Sequence, residues 1–207
     1  LFGVMDTKPR SLATAYQRTR QKHAAQLFNN AFAVDSTWNN NTEAVALCAD
    51  AHTTTSGASV AAGFDNLVTT SLTAVGLAAA RVQMVNYRGD RAERISVVPS
   101  MIVIPPDLYD VAFEIIESAG KPDTANNNAN VHQGKYTVVE WNYLTDTNNW
   151  FLIDDSTVKD ALVWYERVNS EFAMVEDFET LIAKWRLYAR YGSGHNDWRW
   201  ILGAQVS

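Results

Sequence analysis

A short apolar stretch that ends at two prolines most limits how this chain can fold. Met101-Ile102-Val103-Ile104 is rich in β-branched side chains, and Pro105-Pro106 cannot continue a strand ladder because proline lacks the amide donor. Apolar side chains then recur at helical spacing from Leu108 to Ala119, until Gly120 and Pro122 end the pattern. The stretch predicts a buried strand followed by a helix that packs on the same sheet.

The clearest alternation in the sequence lies further along, at Leu181–Tyr191. One face carries mostly apolar side chains and the other carries Lys184, Arg186 and Arg190. Eleven extended residues would span about 35 Å, which is long for a globular strand, and Gly192-Ser193-Gly194 is predicted to end it. Further strands are predicted at Tyr136–Trp141, Trp150–Ile153, Ala161–Val168, Phe172–Phe178 and Asp197–Leu202.

Two more segments have helical periodicity. Arg10–Phe32 has an apolar stripe that broadens toward its C-terminal end, with Pro9 and Ser11 suiting its start. A second helix is predicted over Thr70–Tyr87, capped by Thr70 or Ser71. Helices and strands of this kind in one chain predict an α+β fold.

Charge is unevenly distributed along the 207 residues. The formal net charge is −6, which argues against a dedicated nucleic-acid binder. Residues 1–32 carry five basic residues against Asp6 alone, so the first helix is the basic element. The single cysteine, Cys48, cannot form an intrachain disulfide, and no run approaches the roughly 18 apolar residues of a membrane span.

No familiar catalytic, phosphate-binding or cofactor-binding motif is present in the sequence. The best metal candidate is Cys48-Ala49-Asp50-Ala51-His52, which lacks a partner pair with ligand spacing. His132 and His195 could be general bases. The carboxylate pair Asp154-Asp155 and the cluster Glu176, Asp177 and Glu179 border predicted strands, where acidic residues usually mark solvated turns. We therefore predict no cofactor, no metal site and no catalytic residue.

Taken in order, the segments resemble those of tailed-phage and prophage major capsid proteins of the Hong Kong 97-type fold. Order and spacing over nearly the whole chain carry the resemblance, since no single segment is specific. The matching segments are Leu27–Phe32, Ala46–Thr53, Ile102–Pro106, Thr124–Asn127, Leu144–Asp146, Trp150–Ile153, Phe178–Thr180 and Asp197–Arg199.

The resemblance implies a Hong Kong 97-type capsid fold with two domains. The peripheral domain would comprise residues 1–45 with 169–194, containing a spine helix (10–32) and a long strand (181–191). The axial domain would comprise residues 46–168 with 195–207. Relatives carry an N-terminal arm and an extended loop before the spine helix, where this sequence has Leu1–Pro9.

The implied function is that of a structural major head protein, not an enzyme. Copies would assemble as pentamers and hexamers into an icosahedral shell around double-stranded DNA, contacting the DNA non-specifically. Portal and scaffold proteins would be further partners, no membrane would be involved, and assembly in the bacterial host cytoplasm would lead to the virion capsid. An encapsulin-like or gene-transfer-particle shell is the first alternative, and an α+β enzyme using His132 or His195 is the second.

Eight residues are candidates for the contacts between subunits. Trp and Arg are enriched at protein interfaces, although the basic residues of the helix could equally form a solvated face. By analogy with the family, the loop Asp123–Asn130 would approach a symmetry axis. The candidates are Arg18, Arg20, Lys22, Asn126, Asn127, Trp185, Arg186 and Arg190.

Overall fold

The computed structural model describes residues 2–35, 37–38, 43–122, 128–180 and 182–207, with side chains from residue 7 onward. Helices and strands both occur among these residues, which confirms the predicted α+β class. The helices are α1 (Phe2–Asn29), α2 (Ala74–Val85), α3 (Tyr109–Glu117) and α4 (Asp155–Ala161). The strands are β1 (His52–Thr54), β2 (Gly57–Ser59), β3 (Leu67–Val68), β4 (Met101–Ile104), β5 (Thr137–Glu140), β6 (Trp150–Ile153), β7 (Leu162–Glu176), β8 (Ala183–His195) and β9 (Ile201–Ala204).

Five strands form a mixed sheet in the order β3-β9-β6-β4-β5. Strands β9, β6 and β4 are antiparallel neighbours, whereas the edge strands β3 and β5 run parallel to β9 and β4. Every residue of β6 and β9 is buried, because elements cover both faces of the sheet. Continuous apolar runs such as Trp150–Ile153, without alternation, are the sequence signature of such strands.

Two helices cover the sheet with apolar side chains. The prolines after β4 lead through a short 3-10 turn (Pro106–Leu108) into α3, which buries Ala112, Ile115 and Ile116. In α2 the buried side includes Leu77, Ala80 and Met84. Its cap is Thr73, whose hydroxyl accepts a hydrogen bond from the Gly76 amide at 3.0 Å. The predicted caps Thr70 and Ser71 were wrong because α2 begins only at Ala74.

The C-terminal end of α1 enters the same core. The ring of Phe28 meets the rings of Trp141 and Phe151 edge to face, with both centroid distances at 5.3 Å. Leu27 and Ala31 are also buried. The broadening of the apolar stripe in the sequence reflects this transition from a surface helix to a core helix.

Strands β7 and β8 form a separate two-stranded antiparallel sheet, here called the ribbon. They have 15 and 13 residues, and their register runs from Leu162 opposite His195 to Glu176 opposite Ala183. Register shifts between Glu166 and Glu171 mark a bulge. Helix α1 packs along β8.

Several predicted boundaries were wrong. Helix α1 begins well before Arg10 and contains Pro9 in its interior, because one proline removes a single backbone hydrogen bond and does not always end a helix. The helix ends at Asn29, and the amide of Ala31 bonds the carbonyl of Phe28 in a tighter turn. Within β8, Gly192-Ser193-Gly194 continues the strand because strand β7 pairs with all three residues.

Strand predictions near the ribbon also need correction. The predicted strands Ala161–Val168 and Phe172–Phe178 are one strand, β7, since a bulge absorbs the polar residues between them. Residue 181, where the long strand was predicted to begin, lies outside the described residues, and β8 starts at Ala183. The last strand begins at Ile201 because turns occupy the preceding residues. The division into peripheral and axial domains stays a prediction, with β7 crossing its boundary at 168/169.

Candidate subunit interface

The two faces of the ribbon differ in chemistry because side chains alternate along paired strands. Trp185 lies opposite Met174, and Leu187 lies opposite Phe172, so these four share one face. Lys184 lies opposite Val175, and Arg186 lies opposite Ala173, on the other face. The first face is therefore apolar, and the second is cationic with apolar residues between the charges.

Helix α1 covers the part of the apolar face nearest the core. Trp164 stacks on Tyr191 with 5.0 Å between ring centroids, and His23 meets both rings edge-on at 5.5 and 5.1 Å. Burial lowers the pKa of His23, which favours the neutral imidazole in this aromatic cluster. Arg20 forms an ion pair with Glu166 at 2.5 Å, and its guanidinium lies over the Trp164 ring.

The distal part of the ribbon leaves large apolar side chains in solvent. Phe178, in the turn that follows β7, is 95% exposed. Such a patch on a long, narrow element is typical of a surface that binds another protein. Five other large side chains of the distal ribbon and its turn are exposed: Phe172, Met174, Val175, Ile182 and Tyr188. Tyr165 is exposed nearer the core end.

Backbone groups of the ribbon are also available for pairing. Within the described residues, β7 and β8 pair only with each other, so each has one outer edge that faces no further strand. An isolated two-stranded sheet is marginally stable in water. Association with further copies would cover the apolar face and the open edges together.

The structure places some of the eight predicted interface residues on this surface. Trp185 is half-buried on the apolar face, whereas Arg186 and Arg190 are exposed on the cationic face of the same strand. Arg18 and Lys22 are exposed on α1, and Arg20 is half-buried in its ion pair with Glu166. Asn126 and Asn127 lie outside the described residues.

Sequence reasoning missed the apolar residues of the distal ribbon. Phe172, Met174 and Phe178 recur at every second or fourth position, which is a strand signal. Their exposure was not foreseeable, because alternation shows which side chains share a face but not whether that face is covered.

The metal candidate Cys48–His52 is instead part of a packed polar cluster. Asn66 Nδ2 donates hydrogen bonds to the carbonyls of Leu47 and Ile201. Asn66 Oδ1 is therefore the acceptor for His52 Nε2, which lies 2.8 Å away. The other ring nitrogen of His52 faces the Glu43 carboxylate at 3.2 Å. Both ring nitrogens of His52 therefore already have partners.

Further contacts fix the same cluster. The imidazole of His52 stacks on the indole of Trp198 with 4.1 Å between centroids. Burial raises the pKa of the Cys48 thiol, so the thiolate that metals prefer is disfavoured. Within the described residues, no group of three or more His, Cys, Asp or Glu side chains is arranged to hold a metal ion.

The two histidines proposed as general bases lie in different places. His195, at the end of β8, shares a cleft with His52, Glu43 and Asp197. Burial lowers the pKa of His195 below its ordinary value, and the Glu43 and Asp197 carboxylates oppose this shift without reversing it. His132 is buried beside Tyr136, and its pKa is lowered first by burial and then by nearby cations such as Lys135.

A family model described as "Phage capsid protein" matches residues 1–204 of the chain. No curated protein matches the chain. Each helix in the part of the chain that the structure describes is too short or too polar to span a membrane.

Proposed function

Because the chain belongs to the phage capsid protein family, we propose that it is a major head protein that self-assembles into an icosahedral shell around double-stranded DNA. The ribbon is the observation that carries this proposal. Its exposed apolar face and open edges suit contacts with other copies better than they suit a monomer in solution.

The arrangement of elements supports a Hong Kong 97-type subunit within this family. A 28-residue helix lies along a long ribbon, and its end enters a separate mixed sheet covered by helices. We assign the helix and ribbon to the peripheral domain and the five-stranded sheet to the axial domain. Pentamers and hexamers would then form through the axial domains.

Helix α1 is the element best suited to contact packaged DNA. Within the described part of the chain, Lys8, Arg10, Arg18 and Lys22 form no ion pair, so their charges are available to phosphates. Such contacts would be independent of DNA sequence. Assembly would take place in the bacterial cytoplasm, with portal and scaffold proteins as further partners of the virion shell.

Particle formation tests the proposal directly. Sedimentation velocity and negative-stain microscopy of the purified chain are expected to show rings or closed shells. The double variant Phe178→Ser with Met174→Ser should raise the protein concentration needed for assembly at least tenfold, which corresponds to about 1.4 kcal/mol of lost contact energy. Its melting temperature should stay close to that of the wild type because both side chains are exposed.

The matched control is Val60→Ser, which removes an apolar side chain outside the ribbon whose 81% exposure lies between those of Met174 and Phe178. This variant should assemble like the wild type. A wild-type chain that stays monomeric at high concentration would contradict the proposal. If the double variant and the control assembled equally well, Phe178 and Met174 of the ribbon would not form the contact between copies.

A further inference from the structure

A cleft of about 440 Å³ is lined by α2 and by the segments that lead into β4 and β5. Helix α2 contributes Arg81 and Val85, which lie one turn apart on the same side of the helix. The segment 95–99 forms a second wall, and Lys135 with Tyr136 forms a third. The volume lies within the range of roughly 300–1,000 Å³ that is usual for small-molecule sites.

Hydrogen bonds to the core hold the walls of this cleft in place. The amide of Ile95 donates to the Tyr87 carbonyl at 3.2 Å, and the amide of Val98 donates to the Asp154 carboxylate at 3.1 Å. Tyr136 is only 6% exposed. A ligand would therefore not have to order these walls, and the cost of binding would be correspondingly small.

Every polar side chain among the described residues that line the cleft can donate a hydrogen bond, and none of them is a carboxylate. These side chains are Arg81, Ser96, Lys135 and Tyr136. Neither of the two cations forms an ion pair within the described part of the chain. The Asp154 carboxylate behind Val98 already accepts four hydrogen bonds. A set of donors with two unpaired positive charges suits an anionic ligand.

The hydroxyl of Tyr136 is the most specific of these donors. Its oxygen is buried and has no hydrogen-bond partner among the described residues. Burial raises the pKa of Tyr136 and the nearby Arg81 opposes this shift, so the hydroxyl stays protonated at neutral pH and can donate. A buried hydroxyl without a partner costs free energy, and an anion held by Arg81 would supply the missing acceptor.

The two cations of the cleft act on the same neighbouring ring. His132 is buried beside Tyr136, with 6.0 Å between the ring centroids. The pKa of His132 is lowered first by burial, and the cations Lys135, Arg81 and Lys121 lower it further. Arg81 and Lys135 therefore lie close enough together to face one ligand.

The rest of the cleft is apolar. A phosphate group would fill only a small part of the 440 Å³, so the bound molecule has room for an organic body beside its charged group. The segment 95–99 offers that body an accessible apolar side chain, since Val98 is 64% exposed. The apolar lining residues are Val85, Ile95, Val97, Val98 and Pro99.

We propose that this cleft binds a phosphate monoester, with the phosphate between Arg81, Lys135 and the Tyr136 hydroxyl and the organic body against the segment 95–99. Two cations match the nearly two negative charges of a phosphate monoester at neutral pH. Arginine can also bind two phosphate oxygens at once. A carboxylate or an internal phosphodiester carries one charge and would leave one cation uncompensated. The monoester could be a free nucleotide or the 5′-phosphate end of a DNA strand, and the site does not depend on the proposed shell function.

Titration calorimetry with deoxyadenosine monophosphate, at constant ionic strength, tests the site. The wild type should bind this nucleotide about tenfold more tightly than inorganic phosphate, and deoxyadenosine without phosphate should show no binding. Arg81→Gln and Lys135→Gln should each weaken nucleotide binding about tenfold, and both positions are exposed, so folding should be unaffected. The matched control is Arg167→Gln, which removes an exposed arginine in the ribbon and should bind like the wild type.

Tyr136→Phe separates a role in binding from a role in folding. Loss of the hydroxyl should weaken binding of the nucleotide severalfold, because one donor to the phosphate is removed. In phosphate-free buffer the melting temperature should be unchanged or higher, because the hydroxyl has no partner among the described residues to lose. A clearly lower melting temperature in that buffer would show that the hydroxyl already has a partner in the free protein, and it would overturn the assignment.

Two further outcomes would overturn the site: wild-type affinity in the Arg81, Lys135 and Tyr136 variants, or equal binding of deoxyadenosine and its monophosphate. A short oligonucleotide with and without a 5′-phosphate distinguishes the two sources of the monoester. If the phosphorylated strand binds more tightly than the mononucleotide and Tyr136→Phe weakens that binding, the ligand is a DNA end. If it binds more weakly, the ligand is a free small molecule. Binding is measured whether or not the chain assembles, so failure of the shell function would leave this result intact.

Discussion

Asn66 shows how one buried polar side chain joins distant parts of the chain. It is fully buried, and its amide bonds the carbonyls of Leu47 and Ile201, the amide of Ala49 and the imidazole of His52. The loop before β1 and the start of β9 are thereby held together. Little in the local sequence marked this residue, because its partners come from remote positions.

We expect Asn66→Leu to lower the free energy of unfolding by about 3 kcal/mol or more, since several buried groups lose their partners at once. Urea denaturation measures this change. Asn142→Ala, at an exposed position, should stay within about 0.5 kcal/mol of the wild type. If Asn66→Leu lowered the free energy of unfolding as little as Asn142→Ala does, the Asn66 network would not stabilise the fold.

Asp154 corrects the prediction of a solvated carboxylate pair at 154-155. Its side chain is buried at the N-terminus of α4 and accepts hydrogen bonds from the Ser156 amide, the Ser156 and Thr157 hydroxyls and the Val98 amide. Burial acts to raise the pKa of this carboxyl, but the hydrogen bonds outweigh burial and lower it. The charged form is thus favoured in the folded chain.

The lowered pKa predicts a specific pH dependence. A carboxyl whose pKa is lower in the folded state stabilises fully above its ordinary pKa of about 3.9. That stabilisation is lost as the pH falls below this value toward the folded pKa. Asp154→Asn should therefore flatten the fall of unfolding free energy below about pH 4, and Thr157→Val should flatten it partly. Parallel curves for Asp154→Asn and wild type would refute this role.

At the scale of elements, two glycines show that β8 and β9 differ in the space around their backbones. A Cβ at Gly194 in β8 would meet nothing within 4 Å, whereas a Cβ at Gly203 in β9 would lie 2.6 Å from Cys48 Sγ and 2.7 Å from Phe32 Cε1. Gly194→Ala should stabilise by about 0.4–1 kcal/mol through the unfolded chain. Gly203→Ala should destabilise by about 1–3 kcal/mol.

Thermal unfolding of both variants checks this pair, and each is the other's control because the chemical change is identical. Equal shifts in melting temperature would contradict the contrast in packing. A destabilised Gly194→Ala would indicate that the glycines of β8 have a backbone role, as the sequence first suggested.

Elements with one dominant local signal were predictable from sequence. Strand β6 matched its predicted bounds, and the proline corner after β4 led into α3 as expected. Boundaries failed where tertiary pairing overrode local preference. Gly192 and Gly194 did not end β8 because β7 pairs with both of them, and Pro9 did not limit α1 because one proline removes only a single helical hydrogen bond.

The two unlike faces of β8 were predictable from the sequence, but the elements that cover those faces were not. The alternation at 181–191 identified a strand with two unlike faces, and β8 has them. No sequence pattern could show that this strand pairs with β7 and with no other described strand, or that α1 covers only part of its apolar face. Both facts depend on which element lies against which, and local periodicity does not specify that.

At the scale of the whole molecule, two regions differ in how they are held together. Strands β6 and β9 are buried throughout, with neighbours on both sides in the sheet. In the part of the chain that the structure describes, each strand of the distal ribbon has one neighbouring strand, and several of its apolar side chains are exposed. Local opening should therefore need far less energy in the distal ribbon than in the central sheet.

Hydrogen exchange of the free and assembled chain should resolve this difference. In the free chain, amides of residues 171–176 and 183–188 should exchange at least about 100-fold faster than those of β6 and β9, because small openings expose them. In assembled particles the same amides should become protected, since neighbouring copies would cover them. The Phe178→Ser, Met174→Ser variant, kept below the concentration at which it assembles, serves as the control and should gain no protection. Ribbon amides that exchange equally fast in particles would place the contacts between copies elsewhere, and they would leave the exposed apolar face without the role proposed for it.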